Sequence, residues 1–229
     1  MDITRREFLG YTVGAMNVLG APLPQPAPPS AAEPSLKKWQ VFASNQRVLP
    51  ESTAGYRAVL PPQRCEFEPW EQADPMAHCS LVIMSSVFVL PDKLAERLRF
   101  CLQRGSTVII ESGAGFVSHV DFRKHRRSLR EGLGLHLAAP VNLWSPPRAV
   151  PYVDYIWPSW TRVRDFTRLI PPAAEQPGQI IAWAGNLPVA LLRRAGSGTL
   201  IYIGSPLGPA LLMGDAQAKS WLYSVALAA

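Results

Sequence analysis

Cysteine is scarce and unpatterned. Cys65, Cys79 and Cys101 form no Cys-x-x-Cys pair, and an odd number cannot all pair within one chain. At most one disulfide is possible, and an exported protein would be permitted it. Cys79 and Cys101 sit on apolar segments and read as buried thiols behaving as small hydrophobes. The four histidines (His78, His119, His125 and His136) show neither His-x-His nor His-x-x-x-His spacing, so no metal site is expected. No cofactor is expected either. Charge is sparse at 17% of residues, and the acidic side is the poorer: 17 Asp and Glu against 23 Lys and Arg leave a formal +6. That excess favours anionic partners or surfaces only weakly. The chain lacks a Lys/Arg stripe interleaved with aromatics, which argues against nucleic acid as a partner. What is present is an ordinary globular composition. The 229 residues are 48% hydrophobic, enough for one large α/β domain or two small ones with a full core.

The first 35 residues read as an address followed by a linker. Thr4-Arg5-Arg6-Glu7-Phe8-Leu9 resembles the twin-arginine (Tat) export motif, with Gly10 where a lysine is usual. A moderately apolar stretch, 8–21, follows. It is shorter than the roughly 20 residues a stable span needs. Ser30-Ala31-Ala32 offers a small-x-small cleavage site. The resemblance implies a periplasmic or extracellular protein, membrane-anchored if the segment is retained. Residues 22–35 are a Pro/Ala linker, and the folded domain is placed at 36–229.

Along the folded part, 38–43 reads as a first strand, 44–62 is ambiguous, and 65–70 is a short alternating strand. Ser80–Met84 is a near-continuous apolar run, as in a strand buried on both faces of a parallel sheet. Pro91–Arg104 is a helix opened by proline and closed by Gly105, with Leu94, Leu98, Cys101 and Leu102 on one face. Thr107–Glu111 is the next buried strand, completing a βαβ unit with a right-handed crossover. A helix is expected from about Arg123; its run of Arg and Lys reads as a solvated face, with an anion-binding patch as the alternative. Residues 135–143 read as a strand. Strands at 180–184 and 189–193 join through Gly185-Asn186, and Gly196-Ser197-Gly198 turns into 199–203, giving a β-meander. Asp215 caps a final helix that turns Trp221, Leu222 and Val225 inward.

In order, SLVIM, PDKLAERLRFCLQRG, STVIIE, the glycine turn after it and LREGLGLHL, with GSGTLIYIG much later, resemble the class I glutamine amidotransferase-like superfamily. The match is to its non-catalytic branch, of the kind found as a domain in some β-galactosidases. The resemblance implies a flavodoxin-like, mostly parallel sheet flanked by helices, ending in the antiparallel meander and final helix. It also implies where the active members carry their triad. Gly113 aligns with the reactive cysteine, and Gly204-Ser205-Pro206-Leu207 stands where those members have His-Pro-Glu. The expectation is an exported, catalytically inactive domain acting as a binding or accessory subunit. An alternative is an exported serine hydrolase using Ser112 with His119 or His78, although the Gly-x-Ser-x-Gly pattern is missing.

Two places are candidates for binding. Open α/β sheets bind ligands beyond the carboxyl ends of their strands. Here that rim holds Ser85 and Ser86, the turn Ser112, Gly113, Ala114 and Gly115, and Ser205. Free amides of the glycine turn could hold an anion. The second candidate is 152–166, dense in aromatics and arginine. Tyr155, Trp157, Trp160, Arg162 and Arg164 there are the residue types of protein interfaces. They also suit a glycan, or a small core under a loop with Asp154 and Asp165 paired to the arginines. The expected partner is a protein in the periplasm or at the membrane, with a glycan as the alternative.

Overall fold

The computed structural model describes residues 38–43, 50–69, 74–75, 78–112, 119–141, 152–165 and 169–229. The export motif, the linker and Gly113, Ala114 and Gly115 lie outside the described residues.

Two apolar runs set the centre of the fold. Strands β3 (Leu81–Val87) and β4 (Thr107–Ser112) are buried at every position, because helices cover both faces. Alternation along β3 sends Leu81 and Ile83 into one core and Val82 and Met84 into another. Helix α2 (Asp92–Gln103) links them. It starts after Pro91, buries Leu94, Ala95, Leu98, Cys101 and Leu102, and stops at Gly105, whose φ of 98° suits glycine. β1 (Trp39–Ala43) and β2 (Cys65–Pro69) extend the parallel ladder on the far side of β3, with α1 (Pro50–Val59) between them in sequence. Helix α3 (His119–Leu133) follows β4 and packs against α2.

The second half is antiparallel. β5 (Tyr152–Tyr155) and β6 (Thr161–Arg164) form a hairpin at the sheet edge. β7 (Gln179–Ala184) and β8 (Leu187–Ala195) turn through Gly185-Asn186, and β8 reaches β9 (Gly198–Ile203) through Gly196-Ser197. Gly185 and Gly196 have φ near +60°, as tight hairpins demand. β9 is parallel to β4 and antiparallel to β8, so it joins the halves. The order is β2-β1-β3-β4-β9-β8-β7-β5-β6. Helices α4 (Gly208–Leu212) and α5 (Ala216–Ala228) close the chain. Asp215 caps α5 by accepting from the amides of Gln217 and Ala218, and Trp221, Leu222 and Val225 are buried.

The fold is thus mixed α/β, with the β-meander and final helix where the sequence places them. The parallel pairings do not predominate, however: the half from β9 to β6 is antiparallel throughout. Of the strand expected at 135–143, the described residues 135–141 form none either, and 142–143 lie outside the described residues. Leu137 and Val141 make only isolated bridges, to Pro172 and Leu169. Pro140 and Pro172 have no N–H to donate, so no ladder propagates. Helix α3 begins at His119, one turn before the expected start. The four-residue strands β5 and β6, and helices α1 and α4, were not anticipated.

Helices α1 and α4 meet backbone to backbone at Gly55 and Gly208. A Cβ on Gly55 would lie 1.8 Å from the Gly208 carbonyl oxygen, and one on Gly208 would lie 2.3 Å from Ser52 Cα. Gly55→Ala is expected to cost about 2–3 kcal/mol through overpacking, seen as a lower urea midpoint at unchanged slope.

Candidate functional site

Strand β4 ends in Glu111-Ser112, whose side chains point to opposite faces of the sheet. Each nucleates a buried polar cluster at the carboxyl rim of the parallel strands.

Glu111 is fully buried and accepts five hydrogen bonds. Its Oε1 accepts from Tyr56 OH at 3.2 Å, from the Gly208 amide at 3.0 Å and from the Leu207 amide. Its Oε2 accepts from the Ser86 amide at 3.1 Å and from the Ser52 hydroxyl. Burial pushes the Glu111 carboxyl above the usual carboxylate range, while the donors pull it down. The three backbone amides can only donate, so they favour the ionised form. Around the network, Thr53 Oγ1 and Ser85 Oγ lie 2.9 Å apart, and Ser85 donates to the Phe42 carbonyl at 3.0 Å. These bonds tie α1 to the ends of β1 and β3. Ser86 has φ 49°, a left-handed conformation uncommon outside glycine, and its buried hydroxyl has no hydrogen-bond partner among the described residues. The bend aims its amide at Glu111.

On the other face, Ser112 Oγ lies 3.1 Å from His125 Nε2, and His125 Nδ1 lies 2.8 Å from the Phe88 carbonyl oxygen. A carbonyl can only accept, so Nδ1 carries the proton and Nε2 accepts from the serine hydroxyl. That is the tautomer a general base needs. Yet Ser112 and His125 are both completely buried, and the group orienting the imidazole is a neutral carbonyl. Burial lowers the His125 pKa to about 4, against the opposing pull of the Phe88 bond. Tyr202 is buried as well: its hydroxyl donates to the Ile170 carbonyl at 2.8 Å, and burial raises the phenol above its ordinary range. The imidazole stays neutral at neutral pH, and the serine belongs to the packing between β4, β9 and α3.

The serine therefore finds a histidine, but neither of those expected. His119 and His78 are exposed, and His125, four residues before Leu129 on the buried stripe of α3, takes the position. Ser205 is not an open anion ligand. It is buried, and its hydroxyl donates to Asp165 Oδ1 at 2.6 Å, beside a carboxylate that repels anions. The thiols offer no nucleophile: none of the three is in a disulfide, all are buried, and burial pushes Cys65 up to about 12 and Cys79 up to about 11. Among the described residues, no three His, Cys, Asp or Glu side chains are grouped so as to hold a metal.

The aromatic segment splits by strand alternation. Tyr155 is buried with its ring centroid 4.5 Å from that of Trp221, so it serves the core and not an interface. Trp157 is half-buried, and its carbonyl accepts from Trp221 Nε1 at 2.7 Å. Trp160 stands out at 66% exposure. Arg162 forks onto Asp154 at 2.7 and 3.1 Å, and Arg164 Nε donates to Tyr152 OH at 3.2 Å. Both guanidiniums lie within 6 Å of the Tyr152 ring centre. A shallow groove of about 410 Å³ runs from this face to Met213 and Gln217.

Sequence reasoning placed Ser86 on the rim but missed the roles of Glu111 and His125. A charged residue ending an apolar strand and a histidine in phase with a helix's apolar stripe were the signals available.

No protein-family model and no curated protein matches the chain. Solved structures do. A β-galactosidase from Rahnella sp. R3 aligns with TM-score 0.59 at 14% identity, over 84% of this chain and 31% of that one. A β-galactosidase from the haloarchaeon Halorubrum lacusprofundi aligns with TM-score 0.59 at 17% identity, over 83% and 30%. A cytoplasmic protein from Salmonella typhimurium LT2 aligns with TM-score 0.57 at 12% identity, over 83% of this chain and 98% of that one. The chain thus spans about a third of each β-galactosidase. Likeness at such identities establishes a shared fold only.

Glu111→Gln turns an amide toward donors that need an acceptor and is expected to cost about 3 kcal/mol of stability, read from urea unfolding. His125 sets an acid limb. Unfolded, it takes a proton near 6.5; folded, at about 4. The unfolded state therefore binds the extra proton between those values. Its contribution is complete above pH 6.5 and falls by up to ~3 kcal/mol as pH drops toward 4. Wild type and His125→Gln, compared by unfolding at neutral and acid pH, should converge as pH falls.

Proposed function

We propose that the chain is a catalytically silent amidotransferase-like domain that works as a binding or accessory module. Its parallel half, β2-β1-β3-β4-β9, follows the 2-1-3-4-5 strand order of flavodoxin-like sheets, which supports the finer fold reading. The observation that carries the functional reading is the closure of the β4 corner. Glu111 spends its acceptor capacity on five donors, and the Ser112–His125 pair lies at zero exposure with the imidazole Nδ1 on the Phe88 carbonyl. A nucleophile must meet its substrate, and these groups meet each other. The partial overlap with β-galactosidase chains fits the same reading, since a domain of this kind can sit beside a catalytic unit. The outward surface that suits a protein partner is the β5–β6 hairpin with Trp160, Arg162 and Arg164, joined by Tyr152. The resemblance of Thr4-Arg5-Arg6-Glu7-Phe8-Leu9 to a twin-arginine motif supports work outside the cytoplasm.

Full-length protein assayed with L-glutamine and with p-nitrophenyl esters should give no saturable turnover, and Ser112→Ala should behave identically. Saturable activity abolished by that substitution would refute silence. Replacing Arg5 and Arg6 by lysine should retain the protein in the cytoplasmic fraction; unchanged fractionation would remove the export reading.

A further inference from the structure

The net positive charge has a physical location. Helix α3 carries Arg123, Lys124, Arg126, Arg127 and Arg130 against only Asp121 and Glu131, and all five cations are exposed. Their spacing opposes stability. Residues three and four apart are neighbours on a helix, and here Arg123–Arg126, Arg123–Arg127, Lys124–Arg127, Arg126–Arg130 and Arg127–Arg130 are all like-charged. Relief from within the fold is nearly absent. Arg130 makes a loose 3.8 Å contact with Glu131, while Arg123, Lys124, Arg126 and Arg127 have no ion-pair partner among the described residues. A solvated face would intersperse acids, as α2 does with Asp92 and Glu96.

We propose that this stripe docks on an anionic phospholipid surface. Arg123, Arg126, Arg127 and Arg130 recur at i, i+3, i+4 and i+7, so four guanidinium groups line one side of the helix over roughly 10 Å. Arginine outnumbers lysine four to one, and its planar fork suits phosphate oxygens. Val120, 49% exposed, stands one turn before Arg123 on the same stripe and supplies an apolar contact at its end. The opposite stripe, His125, Leu129, Gly132 and Leu133, is sealed against the sheet. The helix therefore cannot roll its apolar side into lipid. Binding is electrostatic and salt-sensitive. This inference is independent of whether the domain is catalytically silent.

The test is co-sedimentation of the full-length protein with vesicles of phosphatidylcholine alone, or of phosphatidylcholine mixed with phosphatidylglycerol. Each arginine beside an anionic surface contributes about fivefold. Replacing Arg123, Arg126, Arg127 and Arg130 together by Gln should weaken partitioning to the mixed vesicles by roughly several hundredfold at low salt, leaving phosphatidylcholine binding unchanged. An equal charge change at Lys38, Arg57, Arg64 and Arg104 should have a much smaller effect. The stripe variant should keep or raise its melting temperature, because repulsion is removed. Wild type should lose its preference for the mixed vesicles at about 0.5 M salt, a reading that needs no variant. Equal wild-type binding to both vesicle types overturns the proposal, as does a folded stripe variant that partitions like wild type. Stripe-dependent binding to polyglutamate without binding to the mixed vesicles also overturns it, making the occupant an acidic protein.

Discussion

One buried carboxylate fastens the carboxyl rim of the parallel sheet. Glu111 ends β4, and its five donors come from α1, from the bend after Ser85 and from the start of α4. Segments up to 97 residues apart in sequence converge on its two oxygens. A charge this deep costs several kcal/mol unless its lone pairs are satisfied, so the network tolerates little drift in any contributor. The left-handed Ser86 and the bare contact between Gly55 and Gly208 both follow: one turns an amide inward, the other lets α4 come close enough to offer two.

The sheet around this point has two personalities. Its parallel half is sandwiched between helices and carries apolar side chains on both faces. The edge hairpin of the antiparallel half alternates, as in β6, where Thr161 and Val163 are buried while Arg162 and Arg164 are exposed. Chemistry-bearing residue types divide along the same line. Those in the parallel half are consumed in packing; those at the hairpin edge and on α3 face outward. The polar side chains left facing solvent are thus largely those of the hairpin edge and of α3.

How much of this could be read from residues alone depended on locality. The runs SLVIM and STVIIE, the period of α2 and the Asp215 cap are short-range signals, and they gave the βαβ unit and the final helix. Strands β5 and β6 have four residues each, too few for alternation to stand out from an aromatic-rich loop. Helix α1 mixes small and polar residues and is held mainly by α4, which no local pattern reveals. The Glu111 network is wholly non-local. The Ser112–His125 pair depended on the starting residue of α3: a helix from His119 puts residue 125, not 119, on the buried side. Tyr155 faced the core through the same kind of phase, set by strand pairing.

Strand β9 lies in the middle of the sheet yet is composed of residues 198–203 of 229. Every other strand precedes it on the ribosome. The parallel and antiparallel portions therefore have no common edge until residues 198–203 are made, and each waits with an open border where β9 will insert. The architecture closes like a zip from its centre: without residues 198–203, β2-β1-β3-β4 and β8-β7-β5-β6 would be two sheets instead of one.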